Sequence, residues 1–550
     1  MSTHAAIHRR SLLIGWASLL LAVFVYCAGL GSDHLATNGD ELLYAQISKL
    51  TAATGQFLPL QSLDERLRNT KPPLLFWQGI VSTGWGDHWS LALLRGPNVL
   101  YTLLTAGLLI LIGWKRTRSM TLGLTAALLF LGFFSTYRYG RVFLTSAPET
   151  FWLFAPLALL LLHREPRFPS GMLWPWIWGG MIGVGLLYKS FALVIPVALT
   201  MALWQLRARG WRLRPFLIQD VWRIALMVTA ALLLFGIWFW LDPHPILVLK
   251  DFVLRENVGK FNTGNENYFL NLIWGQSSLW RMVVSYPLNA GLLGLLTVAV
   301  VWDAWKRRHH LGQLEVFLWI WMIVLAAFFC IPNQRDERYL LPAMPALALL
   351  MAIRMDHLPR WVCTVTIAVS GIILLGLPGL ALLLQHAAGM SLYPLWLLFP
   401  LAGSLLVVGL ALSRKELTRL LLPASVLLVY LGYYLFLIPL DHGPGLFKGE
   451  GIESVIGCEV SVPSNFNARE ESYGFLLPGA IVKPYDHGRK SPNTQFVVSS
   501  LPLDQSPPQA IILGKRLNMI DRFNAAETRD ILLGNVTHHL FHWDWLVQQN

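Results

Sequence analysis

The sequence predicts an all-α polytopic membrane protein with about thirteen transmembrane helices, outward-lying amphipathic helices and a small C-terminal α/β domain. Three observations predict it. Charged residues make up 13% of the 550-residue chain and hydrophobic residues 55%, whereas a soluble globular chain carries roughly 25% charged residues. Apolar runs of roughly 17 to 25 residues, with a few shorter ones, recur as far as residue 440. The segments between them alternate between short basic connections and longer loops.

Composition narrows the function classes. The net charge is +12, and the mean hydropathy is +0.51. In a membrane protein such a charge follows from Lys and Arg in cytoplasmic loops facing anionic lipid, and it calls for no nucleic-acid partner. The 24 tryptophans suit interfacial belts. Cys27, Cys330, Cys363 and Cys458 are scattered, so neither a disulfide framework nor a CxxC metal site is implied. The first apolar run, Ser11 to Leu30, has no clear small-residue cleavage pattern after it and reads as a retained helix.

The runs lie near 11–30, 92–113, 119–137, 147–162, 172–188, 190–206, 224–241, 282–304, 314–331, 340–353, 361–383, 393–412 and 420–440. One set of connections holds Arg9-Arg10, Lys115 to Arg118, Arg164 to Arg167, Arg207 to Arg223, Lys306 to Arg308, Arg354 to Arg360 and Arg414 to Arg419. These are short and basic, hence cytoplasmic. The other set is 31–91, 138–146, 189, 242–281, 332–339, 384–392 and the tail from Asp441, all facing outward. The expected organisation is a transmembrane catalytic domain, 1–440, followed by an outward C-terminal domain, 441–550.

Two outward loops are long. Residues 31–91 and 242–281 each contain helix-like stretches, which suggests elements lying on the membrane surface. The tail loses the membrane composition. It carries turn signals at Asp441 to Gly445 and Ser506-Pro507-Pro508, with short apolar runs at Gln495 to Val498 and Ala510 to Leu513.

The chemistry is expected on the outward side. Thr37-Asn38-Gly39-Asp40-Glu41 follows the first span, where a paired acid is cheaper to hold than inside the bilayer. Asn38 as cap and Glu41 three residues later also spell a helix start. Two readings stand: helix-start residues alone, or a reactive pair. Cations crowd the same layer against the positive-inside rule: Lys71, Arg138, Arg141, Lys189, Lys260, Arg335 and Arg338, with Tyr339 beside them. Each alone is explained by snorkelling. Together they offer the converging cations that a phosphate at the membrane surface needs. Ser146-x-x-Glu149 reads as a capping box or as an accessory hydroxyl and carboxylate. The histidines His34, His88 and His244 could assist a divalent ion with Glu41, and His538, His539 and His542 have a spacing that could bind a metal on a helix. No cofactor is required, although a divalent cation is compatible. There is no GxSxG, HExxH, Walker or Rossmann fingerprint, so a nucleotide-sugar site is not supported.

Three segments carry a family resemblance. Asn38-Gly39-Asp40-Glu41-x-x-Tyr44-Ala45 resembles the first-loop Asp-Glu motif of GT-C glycosyltransferases of the protein O-mannosyltransferase type. Thr70-Lys71-Pro72-Pro73-Leu74 resembles the Lys-Pro-Pro motif that follows it, and Arg338-Tyr339-Leu340-Leu341-Pro342 resembles the late Arg-Tyr-Leu-Leu-Pro signature. The span number and outward tail are similar to those of the aminoarabinose (4-amino-4-deoxy-L-arabinose) transferases that modify lipid A. The resemblance runs from residue 11 to 440. It implies a sugar donor on undecaprenyl phosphate and an acceptor that is lipid A, another glycolipid or a protein. It implies Asp40 as catalytic acid with Glu41 as second acid of the motif, and Lys71, Lys260 and Tyr339 as phosphate contacts. Ser146 stands where the family often has Asp, and Gly39 where it often has Pro.

Overall fold

Packing in the chain sorts its connections into two layers. At one end, Arg116 donates to the His163 carbonyl and Arg223 to the Pro169 carbonyl. There too Arg354 bridges Asp303 and Glu315, and Arg419 donates to the Leu358 carbonyl. These partners lie in or beside the basic connections. At the other end, the loops expected outward bond to one another and to the tail, as described below. The contacts thus group these connections as the charge pattern groups them.

The structure is a computed structural model describing residues 3–35, 40–163, 167–169, 171–261, 268–275, 278–443, 445–463, 466–485, 494–508, 510–519, 526, 528–529, 533 and 540–549. The first apolar helix is α1 (Thr3–Cys27); α2 (Asp40–Ala52) and α3 (Leu74–Ser82) fill the first long loop. Then come α4 (Leu91–Thr117), α5 (Met120–Gly132), α6 (Phe134–Tyr139), α7 (Ser146–Leu162), α8 (Leu173–Leu186) and α9 (Val194–Ala208). A short α10 (Leu213–Gln219) leads into α11 (Val221–Leu241), and α12 (Pro245–Val248) opens the second long loop. There the chain winds as a π-helix over Leu249–Asn257, a form that often marks functional segments. The remaining apolar part holds α13 (Tyr268–Trp274), α14 (Leu279–Ala290), α15 (Gly294–Lys306), α16 (Gln313–Cys330), α17 (Met344–Arg354), α18 (Arg360–Ala388), α19 (Leu398–Ser413) and α20 (Thr418–Asp441).

Among the described residues, ten stretches are long and apolar enough to cross a membrane, and three more, Met120–Gly132, Ser146–Leu162 and Leu173–Leu186, are apolar but shorter. Each coincides with one of the runs in the sequence. The run read as 119–137 is broken at Phe133 into α5 and α6. A helix the length of α5 reaches about 20 Å, short of the ~30 Å hydrocarbon layer. The chain is a multi-pass membrane protein. Its spans keep apolar side chains on the outside, Leu20, Phe24, Trp240 and Phe399 among them, as a lipid-facing surface requires. Close approach between spans uses small residues. A Cβ on Gly113 would stand 2.3 Å from the Gly123 Cα, so α4 and α5 meet backbone to backbone there.

The stretch Glu337–His357 is the most enclosed of the ten, with 83% of its window buried, against 22% for Arg9–Cys27. It therefore runs through the middle of the bundle. Its outward end, the 3-10 segment Glu337–Ala343, places Arg338 and Tyr339 centrally.

The tail folds as β1 (Glu459–Pro463), α21 (Ser472–Leu476), β2 (Ile481–Tyr485), β3 (Phe496–Pro502), β4 (Ile511–Met519) and β5 (Phe541–Gln548), in sheet order β2-β1-β3-β5-β4. β1 is parallel to β2 and β3, while β5 is antiparallel to β3 and β4. The expected mixed α/β character is observed. The tail grips the first outward loop: Arg516 reaches Asp33 at 3.2 Å, Gln46 donates to Glu471 at 3.1 Å, and Trp89 stacks on Phe475. His34 lies 3.0 Å from Asp441 at the end of α20. Of the three terminal histidines, His538 and His539 lie outside the described residues. His542 sits on β5, facing Asp544 at 3.4 Å, so the helical metal spacing does not apply to it.

Candidate active site

The paired acids at the start of α2 have opposite fates. Successive helix residues are about 100° apart, so one carboxylate faces in and the other out. Glu41 faces in and is fully buried. Arg95 of α4 donates from Nε to Glu41 Oε1 at 2.7 Å and from Nη2 to Oε2 at 2.9 Å, and the Phe143 N–H adds a bond of 2.8 Å. Arg95 Nη1 also donates to the carbonyls of Leu30 and Ser32. The pair thus ties the end of α1, α2, α4 and the second outward loop together. Both carboxylate oxygens are committed, which fits holding the loop and leaves Glu41 with no face toward substrate. The predicted cap, Asn38, lies outside the described residues.

Asp40 faces out. Its carboxylate is 32% exposed and lies 3.6 Å from Arg338 Nη1. Arg338 is fixed by its own backbone: its N–H donates to Asp336 Oδ1 at 2.9 Å. Tyr339 stacks on Phe329 at 5.0 Å, and Lys189 Nζ lies 5.4 Å over the Tyr339 ring. Lys189 donates to Glu149 Oε2 at 2.7 Å in a buried ion pair. Lys71, just before Pro72-Pro73 and α3, donates to Glu256 Oε1 at 2.8 Å and to the Thr70 carbonyl. Glu256 belongs to the π-helical segment, which is pinned again by Ser190 Oγ donating to Asn257 Oδ1 at 2.8 Å. Five outward segments therefore converge on one half-open layer.

The charges interact. Lys71 is raised above the ordinary lysine range: burial opposes its charge, but Tyr44, Glu256 and Asp40 outweigh burial. Lys189 is lowered, because burial, Arg338 and Lys71 prevail over Glu149. Burial pushes the Tyr44 phenol up to about 12, so it is a neutral hydroxyl donor near Lys71, Asp40 and Arg338. The outcome is a cationic patch with the partly exposed Asp40 carboxylate at its edge. It can hold a phosphate and place a base beside it.

Several expected site residues stand elsewhere. Arg141 is fully buried, donates to the carbonyls of Tyr26 and Ala28, and lies 4.5 Å over the Tyr137 ring. It locks the second outward loop onto α1 and takes no place in the patch. Arg335 donates to the Cys330 carbonyl and lies over Tyr268, turned toward the end of α16. Ser146 opens α7 and is buried, but the cap position is Thr145, without a side-chain bond. The expected capping box is not formed, and Glu149 Oε2 accepts from Lys189 instead. The backbone of Lys260 lies in the 3-10 turn Val258–Phe261; its side chain is outside the described residues. Among the described residues no three of His, Cys, Asp and Glu form a group that could hold a metal ion. Glu256 and Arg95 were not singled out from sequence. Arg95 had a signal, a charge within the apolar run 92–113, where such a residue needs a named partner.

Comparison with known proteins agrees with the fold. A family profile described as dolichyl-phosphate-mannose-protein mannosyltransferase (PMT) matches residues 18–246, which contain Asp40, Lys71, Glu149 and Lys189. The undecaprenyl phosphate-alpha-4-amino-4-deoxy-L-arabinose arabinosyl transferase of Pseudomonas aeruginosa is 26% identical over 470 residues, 82% of each chain. The enzyme of the same description numbered 2 in Proteus mirabilis is 26% identical over 350 residues; the match spans 61% of this chain and 58% of that relative's length. The apo crystal structure of ArnT from Cupriavidus metallidurans superposes with a TM-score of 0.58 at 17% identity, covering 91% of this chain and 95% of that one. Its undecaprenyl phosphate-bound structure gives 0.57 at 18% identity, covering 88% and 86%. The chain is similar in sequence to these aminoarabinose transferases and shares the fold of the two ArnT structures. In this fold the three sequence motifs become one neighbourhood: the first supplies Asp40, the second Lys71 and the third Arg338 with Tyr339.

Proposed function

We propose that the protein is an inner-membrane glycosyltransferase that moves a sugar from undecaprenyl phosphate to lipid A or a related acceptor on the periplasmic side. The observation that carries this reading is the meeting of Asp40 with Arg338 at 3.6 Å, beside Tyr339, Lys71 and Lys189. In the reaction the acceptor oxygen attacks the anomeric carbon. The bond from that carbon to the phosphate oxygen breaks, and its electron pair leaves with the polyprenyl phosphate. Lys71, Arg338 and the Tyr339 hydroxyl stabilise the charge that develops there. For a hydroxyl acceptor, Asp40 takes the proton. For a phosphate acceptor no base is needed, and Asp40 orients the acceptor or an amino sugar. A single displacement inverts the anomeric centre. A lipid-linked donor suits a site built from membrane-surface loops.

The description of the matching family profile favours a second acceptor, a protein hydroxyl, at the same site with the same class of donor, a sugar on a polyprenyl phosphate. A transfer assay separates the two. Protein reconstituted in lipid is given radiolabelled undecaprenyl-phosphate sugars with either lipid A or a Ser/Thr-rich peptide. Label in lipid A supports the main reading and label in peptide the second. Labelled lipid crossing vesicles without transfer would identify a lipid-linked-sugar flippase and overturn both.

A further inference from the structure

A groove of about 710 Å³ opens at the far end of α2 from Asp40. That end is about 18 Å away along the helix, at 1.5 Å per residue, so the groove is separate from the phosphate patch. Its walls are the last turn of α2 with Lys49, the turn Trp85 to Ser90, Leu93 of α4, and Gly474 and Pro478 to Ala480 of the C-terminal domain. The volume lies in the range of small-ligand sites, roughly 300–1,000 Å³.

The geometry points to a binding site for the sugar headgroup of a glycolipid. Four features carry this, and it rests on the glycosyltransferase reading only for its role as acceptor site. First, two indoles line the groove and both are held in place. Trp85 donates from Nε1 to the Ala52 carbonyl and packs edge-on against Phe57 at 4.6 Å, and Trp89 stacks on Phe475 across the domain boundary. Fixed, partly exposed indoles present apolar faces to the C–H faces of a sugar. Trp85 also has a φ of +64° between Gly84 at +62° and Gly86 at +90°. A bulky residue rarely adopts that conformation, and the surrounding fold must hold it there.

Second, the hydrogen-bonding groups are mixed in charge. Lys49 is partly exposed and stands 3.6 Å from Glu471, while Asp87 and His88 are exposed on the opposite wall. A phosphate site needs converging cations. Here the ammonium already faces a carboxylate, and Asp87 repels an anion. A neutral polyol fits this balance better. Third, Leu93 is 41% exposed in the first turn of α4, so the rim lies at the membrane end of a span. A ligand anchored in the bilayer reaches it without leaving the surface. Fourth, the C-terminal domain supplies a whole wall, with Gly474 bringing its backbone close to Lys49; a Cβ there would stand 3.5 Å from Nζ. The groove exists only while that domain is docked on α2.

The test uses the full chain in nanodiscs and a dephosphorylated core oligosaccharide released from rough lipopolysaccharide, followed by saturation-transfer NMR. Ala53→Trp fills the groove from an exposed position, and Trp85→Ala removes one platform. Saturable binding to the parent chain is expected, weakened at least tenfold in Ala53→Trp, while undecaprenyl phosphate binding and thermal melting of that variant stay unchanged. In transfer assays Ala53→Trp is expected to raise the acceptor KM and leave kcat alone. Equal oligosaccharide binding by the parent and Ala53→Trp overturns the groove. So does tighter binding of inorganic phosphate than of the sugar, or competition by a Ser/Thr-rich peptide. Sugar binding at the groove with no transfer to any acceptor would sink the glycosyltransferase reading alone. Transfer with no groove binding would sink the groove alone.

Discussion

Arg338 Nη1 and Asp40 Oδ2 face each other at 3.6 Å, joining the start of α2 to the outward end of the most enclosed span. A carboxylate and the cation proposed to hold the donor phosphate are thereby neighbours before any substrate arrives. Arg338→Ala is expected to weaken binding of labelled undecaprenyl phosphate by tenfold or more, taking a charge-assisted hydrogen bond as ~1.5–3 kcal/mol. Arg338→Lys keeps the charge without the planar fork and is expected to fall between.

Lys71 is held by Glu256, and a bound phosphate must compete with that carboxylate. Glu256→Gln is expected to tighten donor binding a few-fold by releasing the ammonium, whereas Lys71→Ala loses binding. A drop in affinity for Glu256→Gln would mean that the ion pair orders the loop more than it occupies the lysine.

Lys189 predicts a pH effect with a definite sign. Its pKa is lowered, so it loses its proton earlier on the alkaline side than the ordinary value of about 10.4. In that window the unfolded chain holds the extra proton, so the folded state gains stability as pH rises. Donor affinity is expected to move the other way, falling over the same window as the cation is lost. Lys71 is raised and stays charged there. Lys189→Arg is expected to remove this alkaline limb from a plot of donor affinity against pH.

Glu41 is expected to act through structure. Glu41→Ala leaves the Arg95 guanidinium buried and unpaired, at a cost of about 3–5 kcal/mol. A fall in the melting temperature in detergent checks this. The double variant Glu41→Leu with Arg95→Met removes both charges and is expected to recover much of the stability together with activity. Recovered stability with no activity would give Glu41 a part in the chemistry.

The parts of the fold that charge and hydropathy encode were legible. Residues such as Arg116, Arg354 and Arg419 do gather at one end, because the cost of moving cations across a bilayer is written into composition. That Asp40, Lys71, Arg338 and Tyr339 would share one layer could also be anticipated, since each sits in a short motif of a loop expected on the same side. What could not be read was which of two equivalent patterns a residue serves. Asp40 and Glu41 are adjacent acids, and only the position of Arg95 decides which turns inward. Ser146-x-x-Glu149 spells a capping box as well as an ion-pair partner, and Lys189, distant in sequence, settles it. Arg141 looked like a surface cation because its loop is short; the carbonyls of Tyr26 and Ala28 that bury it belong to another helix.

The central claim is that Asp40 takes part in sugar transfer from a lipid phosphate. It is tested most directly by single-turnover transfer from undecaprenyl-phosphate sugar to lipid A by Asp40→Asn, with donor binding measured on the same sample. The account predicts donor affinity within a few-fold of the parent and transfer slowed by about a hundredfold or more, the range for loss of a positioned base. Transfer at the parental rate, with the donor bound as before, would contradict it.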